Sequence, residues 1–204
     1  MSRYKHRGRF ETASGRVIDI RKLTPHDIDW EEIISSLSKI CRFQGHCTKF
    51  FSVLSHSVLA HIISRKLWPQ DKDIHIAALI HDAAEAFIGD IISPIRGLPG
   101  MHVHKKYERQ LIEVISKAAF LDPAILDDKR VKVADNLALV NEVKRIVASR
   151  GELPIWDMDF EKYADYADSV CVTWWDFAKA RWLAKPIFRR ALCKHLVRSQ
   201  NMPQ

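Results

Sequence analysis

The sequence predicts a mainly α-helical protein of one domain, spanning residues 1–204, with a short N-terminal β-hairpin. Three observations predict it. Apolar residues recur at helical spacing through most of the chain after Trp30. Proline- and glycine-bearing breaks separate those segments, at Trp68-Pro69, Gly89 to Gly100 and Gly151 to Pro154. Strand-like runs are confined to the stretch before Arg21. At 204 residues and 47% hydrophobic content the chain can bury a sizeable core, and no repeat or low-complexity segment divides it.

Taken in order, Arg9 to Ile20 holds two β-prone runs around Ser14-Gly15, a hairpin signal. Thr24-Pro25 breaks the chain, and Asp27 to Asp29 can cap a helix from about Trp30 to Ile40. Arg42-Phe43-Gln44-Gly45-His46 ends that helix in a loop. A second helix runs from about Ser52 to Leu67, with Val53, Leu54, Leu59, Ile62 and Ile63 apolar, and Trp68-Pro69 stops it. Asp71 to Asp73 begin a third helix, which carries His81, Asp82 and Glu85. Gly89, Pro94, Gly97, Pro99 and Gly100 constrain the loop that follows. Helices then cover His104 to Ala119 and Pro123 to Ser149, the latter with a bend near Asp127-Asp128. A last helical tract from Thr173 to Ser199 is expected to kink at Pro186.

Composition narrows the class. No apolar run approaches the roughly 20 residues that span a bilayer, and the basic N-terminus lacks the apolar core of a secretory signal. Cys41, Cys47, Cys171 and Cys193 form no CxxC pair, which fits free thiols in a reducing cytoplasm. The net charge of +7 invites a nucleic-acid partner, but no base-reading motif accompanies it, and a phosphate-bearing substrate accounts for the charge as well.

The chemistry-bearing stretch is Ala77-Ala78-Leu79-Ile80-His81-Asp82-Ala83-Ala84-Glu85, where three ionisable groups interrupt an apolar run. Burying them is costly unless they are paired, hydrogen-bonded or bound to a metal. On a continuous helix Glu85 shares a face with His81 and Asp82. Imidazoles and carboxylates ligate zinc-, manganese- or iron-type cations, and a nearby free carboxylate can move protons. His56 and Asp135 are likewise polar residues among apolar neighbours on the preceding and a later helix. Each alone would be read as a hydrogen-bonded core histidine or a surface aspartate; with His81-Asp82 they point to a metal-dependent hydrolase.

His56, His81-Asp82 and Asp135 resemble the H…HD…D pattern of the HD-domain metal-dependent phosphohydrolases. Arg42-Phe43-Gln44-Gly45-His46, Phe51-Ser52-Val53 and His81 to Ile91 resemble the branch of bacterial 5′-deoxynucleotidases and phage deoxynucleoside triphosphohydrolases. The resemblance implies an HD-type helical bundle in which His56, His81, Asp82 and Asp135 hold a divalent cation (zinc, manganese, cobalt or magnesium). It places Glu85 in the catalytic position, Asp90 near the sugar or the nucleophile, and Arg42 and Arg96 against substrate phosphate. It also puts His46 and Phe43 at the pocket, Phe43 being the candidate for sensing the 2′ carbon. Two reactions fit: removal of a 5′-monophosphate, favoured as the broader activity among similar sequences, and release of triphosphate from a dNTP, with Lys49, Lys105 and Lys106 as further phosphate contacts for the second. Relatives assemble as dimers or larger rings, so self-association is expected.

Some residues depart from the pattern. Ser55 stands where relatives commonly carry glutamate, which leaves the group behind His56 open. Ala86 replaces an aspartate usual in alarmone hydrolases, which weakens that alternative, and the intact ligand set weakens a non-catalytic nucleic-acid-binding module. His61 falls about 140° around the helix from His56 and is expected to be exposed; His102, His104 and His195 show no metal spacing.

Overall fold

A computed structural model of the chain describes residues 7–147, 163 and 172–200. The predicted connection at Gly151 to Pro154 and Cys171 lie outside these residues. Two short antiparallel strands, β1 (Arg9–Glu11) and β2 (Val17–Asp19), pair Phe10 with Ile18. A two-stranded hairpin is marginal alone. This one is tied to the first helix, α1 (Trp30–Leu37), by Thr12 donating to Glu32 at 2.6 Å and by an Arg16–Glu32 ion pair at 3.3 Å.

Asp29 caps α1 by accepting from the Glu31 and Glu32 amides, and the helix buries Ile33, Ile34 and Leu37. It stops at Leu37 rather than Ile40. The Ser38 hydroxyl donates to the Ser35 carbonyl at 2.8 Å, which competes with the helical ladder.

The central element is α2 (Val53–Leu67), in which every residue from Val53 to His61 is buried. A helix buried all round is a bundle axis rather than a surface element. It packs against α1, α3 (Lys72–Ile80), α7 (Lys129–Ile146), α8 (Trp174–Trp182) and α9 (Ala184–Gln200). Ser52 caps its start by accepting from the Ser55 amide, and Phe51 stacks on Phe177 of α8 at 4.7 Å between ring centroids. The single turns α4 (Glu85–Ile88) and α5 (Ser93–Arg96) and the amphipathic α6 (His102–Ala118) complete the wall beside α1 and α3.

Three predicted helical tracts are divided: the third was expected to be continuous, the Pro123 tract divides at its expected bend, and the last tract divides three residues before its expected kink. The third ends at Ile80, because the His81 ring donates through Nδ1 to the Ala78 carbonyl at 2.9 Å. The chain then closes tighter bonds, Ala83 N to Ile80 O and Glu85 N to Asp82 O, before α4. With about three residues per turn, Asp82 and Glu85 still stack on one side. The tract from Pro123 divides into a 3₁₀ turn over Pro123–Asp127 and α7, because Asp128 turns extended and caps α7 through the Arg130 amide. The C-terminal tract breaks at Leu183, not at Pro186. Pro186 sits third in α9, where its missing N–H has no helical partner to lose, and its ring excludes helix from the preceding turn.

Candidate metal centre and active site

Three helices bring the four predicted ligands together. His56 comes from the first turn of α2, His81 and Asp82 from the turn after α3, and Asp135 from α7. The His56 Nε2 lies 3.2 Å from His81 Nε2, 3.5 Å from Asp82 Oδ2 and 3.1 Å from Asp135 Oδ1. His81 Nε2 lies 3.3 Å from Asp82 Oδ2 and 3.7 Å from Asp135 Oδ1. At bond lengths of about 2.0–2.2 Å, ligand atoms around one tetrahedral cation sit about 3.3–3.6 Å apart. Among the described residues, His56, His81 and Asp82 form the group whose ligand atoms all lie within 4.8 Å of one another.

Both rings are oriented from behind. His81 Nδ1 donates to the Ala78 carbonyl, and His56 Nδ1 donates to Glu142 Oε1 at 2.5 Å. Each Nε2 is therefore left with its lone pair directed at the other ligand atoms, as in metal-bound imidazoles. Glu142, fully buried, also accepts from Arg42 Nε at 3.2 Å. It supplies the carboxylate that Ser55 lacks. Sequence reasoning missed it, although a signal existed: Glu142 follows Asp135 by seven residues and so returns to the same face of α7.

The electrostatics favour a bound cation. Burial would lower the His81 imidazole, but Asp82 and Asp135 raise it well above its usual value. Burial would raise the two aspartates, yet the imidazoles outweigh it and hold both carboxyls below the usual range. A divalent cation answers the same demand that a proton answers in its place.

A small cleft of about 90 Å³ abuts the ligands, with Arg42, Phe43, Glu85, Asp90, Arg96 and Lys132 in its walls. Glu85 is 2% exposed, and its Oε2 is buried with no hydrogen-bond partner among the described residues. Burial, with Asp82 and Asp90 adding to it, pushes the Glu85 carboxyl well above the usual range, against the pull of Arg42 and Arg96. Asp90 Oδ2 is also buried without a hydrogen bond, 3.8 Å from Arg42. Gly89, at φ +80°, makes the turn that directs Asp90 inward. Burial raises the Asp90 carboxyl.

Arg42 reaches the cleft from a left-handed turn in which Phe43, Gln44 and Gly45 have φ of 56°, 51° and 85°. Positive φ is costly for Phe and Gln, and such strain persists where surrounding structure enforces it. The turn swings Arg42 to within 3.8 Å of Asp82 and lays its guanidinium over the Phe43 ring at 5.5 Å. His46 is exposed and lines neither the cleft nor the larger cavity beside it, because the same turn carries it outward. Lys49 and Lys106 line neither.

The larger cavity, about 540 Å³, opens from His81, Asp82 and Asp135 toward α6 and the 3₁₀ turn. Most of its cations are engaged: Arg96 with Glu108 at 3.3 Å, Arg109 with Glu113 at 3.8 Å and Lys132 with Asp135 at 2.8 Å. Lys132, three residues before Asp135 on the same face, is a second residue that the sequence reading passed over. His61 is the clearest correction. It is 4% exposed rather than open to solvent, because α3 and α9 close over that face of α2.

No protein-family model matches the chain. Similar proteins include the Uncharacterized protein YfdR of Escherichia coli K12, 36% identical over 132 residues that make up 65% of this chain and 68% of YfdR. The Uncharacterized protein RCAP_rcc00048 of Rhodobacter capsulatus is 30% identical over 139 residues, 65% of this chain and 70% of that protein. Among solved structures, the cyanophage S-2L HD phosphohydrolase (DatZ) bound to dA and one catalytic Zn2+ ion aligns with a TM-score of 0.48 at 18% identity, over 84% of this chain and 99% of that one.

Proposed function

The chain belongs to the family of YfdR and RCAP_rcc00048, and we propose that it is an HD-type metal-dependent phosphohydrolase acting on deoxynucleotides. The preferred reaction is that of a 5′-deoxynucleotidase, which converts a deoxynucleoside monophosphate to deoxynucleoside and phosphate. One observation carries this reading. Two imidazole Nε2 atoms and two carboxylate oxygens converge, with imidazole-to-partner separations of 3.1 to 3.7 Å, beside a buried Glu85 oxygen without a partner.

His56, His81, Asp82 and Asp135 would hold the divalent cation, which when bound supplies Lewis acidity to a phosphoryl oxygen and to water. Arg42 brings a guanidinium whose Nε is fixed by Glu142, leaving its outer donors for a phosphate oxygen. Glu85 can take the proton of the attacking water and return it to the departing 5′ oxygen, a role suited to a carboxyl whose pKa is raised. Asp90 lines the same cleft, 3.8 Å from Arg42. Phe43, buried beneath Arg42, is placed to limit bulk at the 2′ carbon.

The preference for a monophosphate rests on the paired cations of the larger cavity. A triphosphate would need free positive charge, and Arg96, Arg109 and Lys132 are already engaged by Glu108, Glu113 and Asp135. Lys105, which lines the same cavity and pairs with no carboxylate among the described residues, is the feature that favours a dNTP triphosphohydrolase instead.

Product analysis by ion-exchange chromatography tests this reading, with dNMPs, dNTPs and their ribo-counterparts supplied together with manganese, cobalt, zinc or magnesium. Deoxynucleoside and orthophosphate from the monophosphates are expected, with ribonucleotides cleaved more slowly. Intact triphosphate as product would transfer the assignment to the triphosphohydrolase. No product with any metal would remove the nucleotide reading.

A further inference from the structure

A second cavity, of about 370 Å³, lies on another face of α2, between that helix, α3 and α9. Arg65 of α2, Lys72 of α3, and Lys194 and Arg198 of α9 line it, the last two one turn apart on one helical face. No carboxylate lines it among the described residues, and none of these four cations pairs with a described carboxylate. Several arginines elsewhere do meet acids, among them Arg9, Arg21, Arg42, Arg96, Arg130 and Arg189. Four like charges around one concavity repel each other, and a cleft of one sign concentrates potential for a ligand of the other.

The floor is polar and internally hydrogen-bonded. His61 Nδ1 donates to the His75 carbonyl at 2.8 Å, and His75 Nε2 donates to the Trp68 carbonyl at 2.7 Å. Burial pushes the His61 imidazole down to about 4, so at neutral pH the floor is uncharged and the positive charge belongs to the rim. An open concavity of this size admits a small molecule.

We propose that this cavity is a second anion site, which takes a small ligand bearing several phosphate charges, either a free oligophosphate or the phosphate chain of a nucleotide. Guanidinium groups from opposite walls can each grip phosphate oxygens in pairs. Because α2 carries both His56 and Arg65, and α3 leads from Lys72 to His81, a ligand here would brace the two helices that place the metal-binding histidines. The inference stands apart from the reaction assigned to the metal centre.

Calorimetric titration of the full chain with tripolyphosphate, inorganic phosphate and dATP tests it. Tripolyphosphate is expected to bind the wild type and Arg42→Gln alike, and to bind Lys194→Glu/Arg198→Glu about tenfold more weakly or less. Tighter binding of dATP than of tripolyphosphate would assign the site to nucleotides, and equal binding would assign it to the phosphate chain alone. Binding unaffected by the α9 substitutions, or lost with Arg42→Gln, would overturn the proposal. So would a single-stranded DNA oligomer that binds where tripolyphosphate does not. Should circular dichroism show the double variant unfolded, Arg65→Glu on the opposite wall carries the same expectation.

Discussion

His56 and His61 lie on one helix, five residues apart, and both are buried, at 0% and 4% exposure. Their surroundings make them opposites. Burial and the nearby Arg42 pull the His56 imidazole down, but Glu142 and Asp135 outweigh them and leave it raised. Burial carries His61 down to about 4, with the His75 carbonyl opposing and Arg65 and His75 adding to it, and no acid among the described residues offsets it. One face of α2 thus presents a nitrogen lone pair to a cluster of carboxylates, while the other uses a histidine as neutral packing with a hydrogen bond. Burial of a histidine shows only that it has a partner; the charge of that partner decides whether it can serve as a ligand.

Substituting the candidate ligands should separate the two faces most strongly. Asp82→Ala is expected to abolish turnover, a loss of about 10³-fold or more, and to remove bound metal as read by metal analysis. His61→Asn should leave both intact. Equal losses in the two variants would erase the distinction between the faces. The next effect lies behind His56. Glu142→Gln keeps the shape but weakens the acceptor of the His56 Nδ1 proton, so metal affinity should fall about 10- to 100-fold in a competition titration with a chelating dye.

Acid separates the two histidines by sign. The folded pKa of His61, about 4, lies below its ordinary value of 6.5, so the unfolded chain takes up the proton first. Its contribution is complete above pH 6.5 and is lost as pH falls toward 4, about 3 kcal/mol in all. Urea unfolding at stepped pH should therefore show a shallower acid loss in His61→Asn than in the wild type. An identical slope in the two proteins would mean that burial does not hold the ring neutral.

Much of this site was legible because its residues violate local pattern. His56, His81-Asp82, Glu85 and Asp135 each place a titratable group inside an apolar run, and a helix order could be read from caps and prolines around them. What escaped reading depends on distant contacts. His61 appeared exposed because helical phase alone opposes it to His56, whereas α9, more than a hundred residues later, covers it. The α3 helix looked continuous through Glu85, since nothing in the sequence announces that the His81 ring will take the Ala78 carbonyl. Glu142 was hidden among Asn141, Val143 and Lys144 as an ordinary charge near a helix end, and only the seven-residue step from Asp135 marks it.

The smallest expected effect gives the sharpest test of what stands behind His56. Ser55 is buried on α2 immediately before the histidine, and its hydroxyl meets the Ser52 hydroxyl at 2.9 Å. Ser55→Ala removes that bond but leaves the Ser55 amide to donate to Ser52, so the helix keeps its cap. The stability cost should be about 1 kcal/mol or less. Metal affinity should not change, because the carboxylate that orients His56 comes from α7 and not from the residue beside it. If Ser55→Ala weakened metal binding as much as Glu142→Gln, the ring would owe its orientation to its own helix. The contrast between the two faces of α2 would then rest on local sequence rather than on the packing of α7 against it.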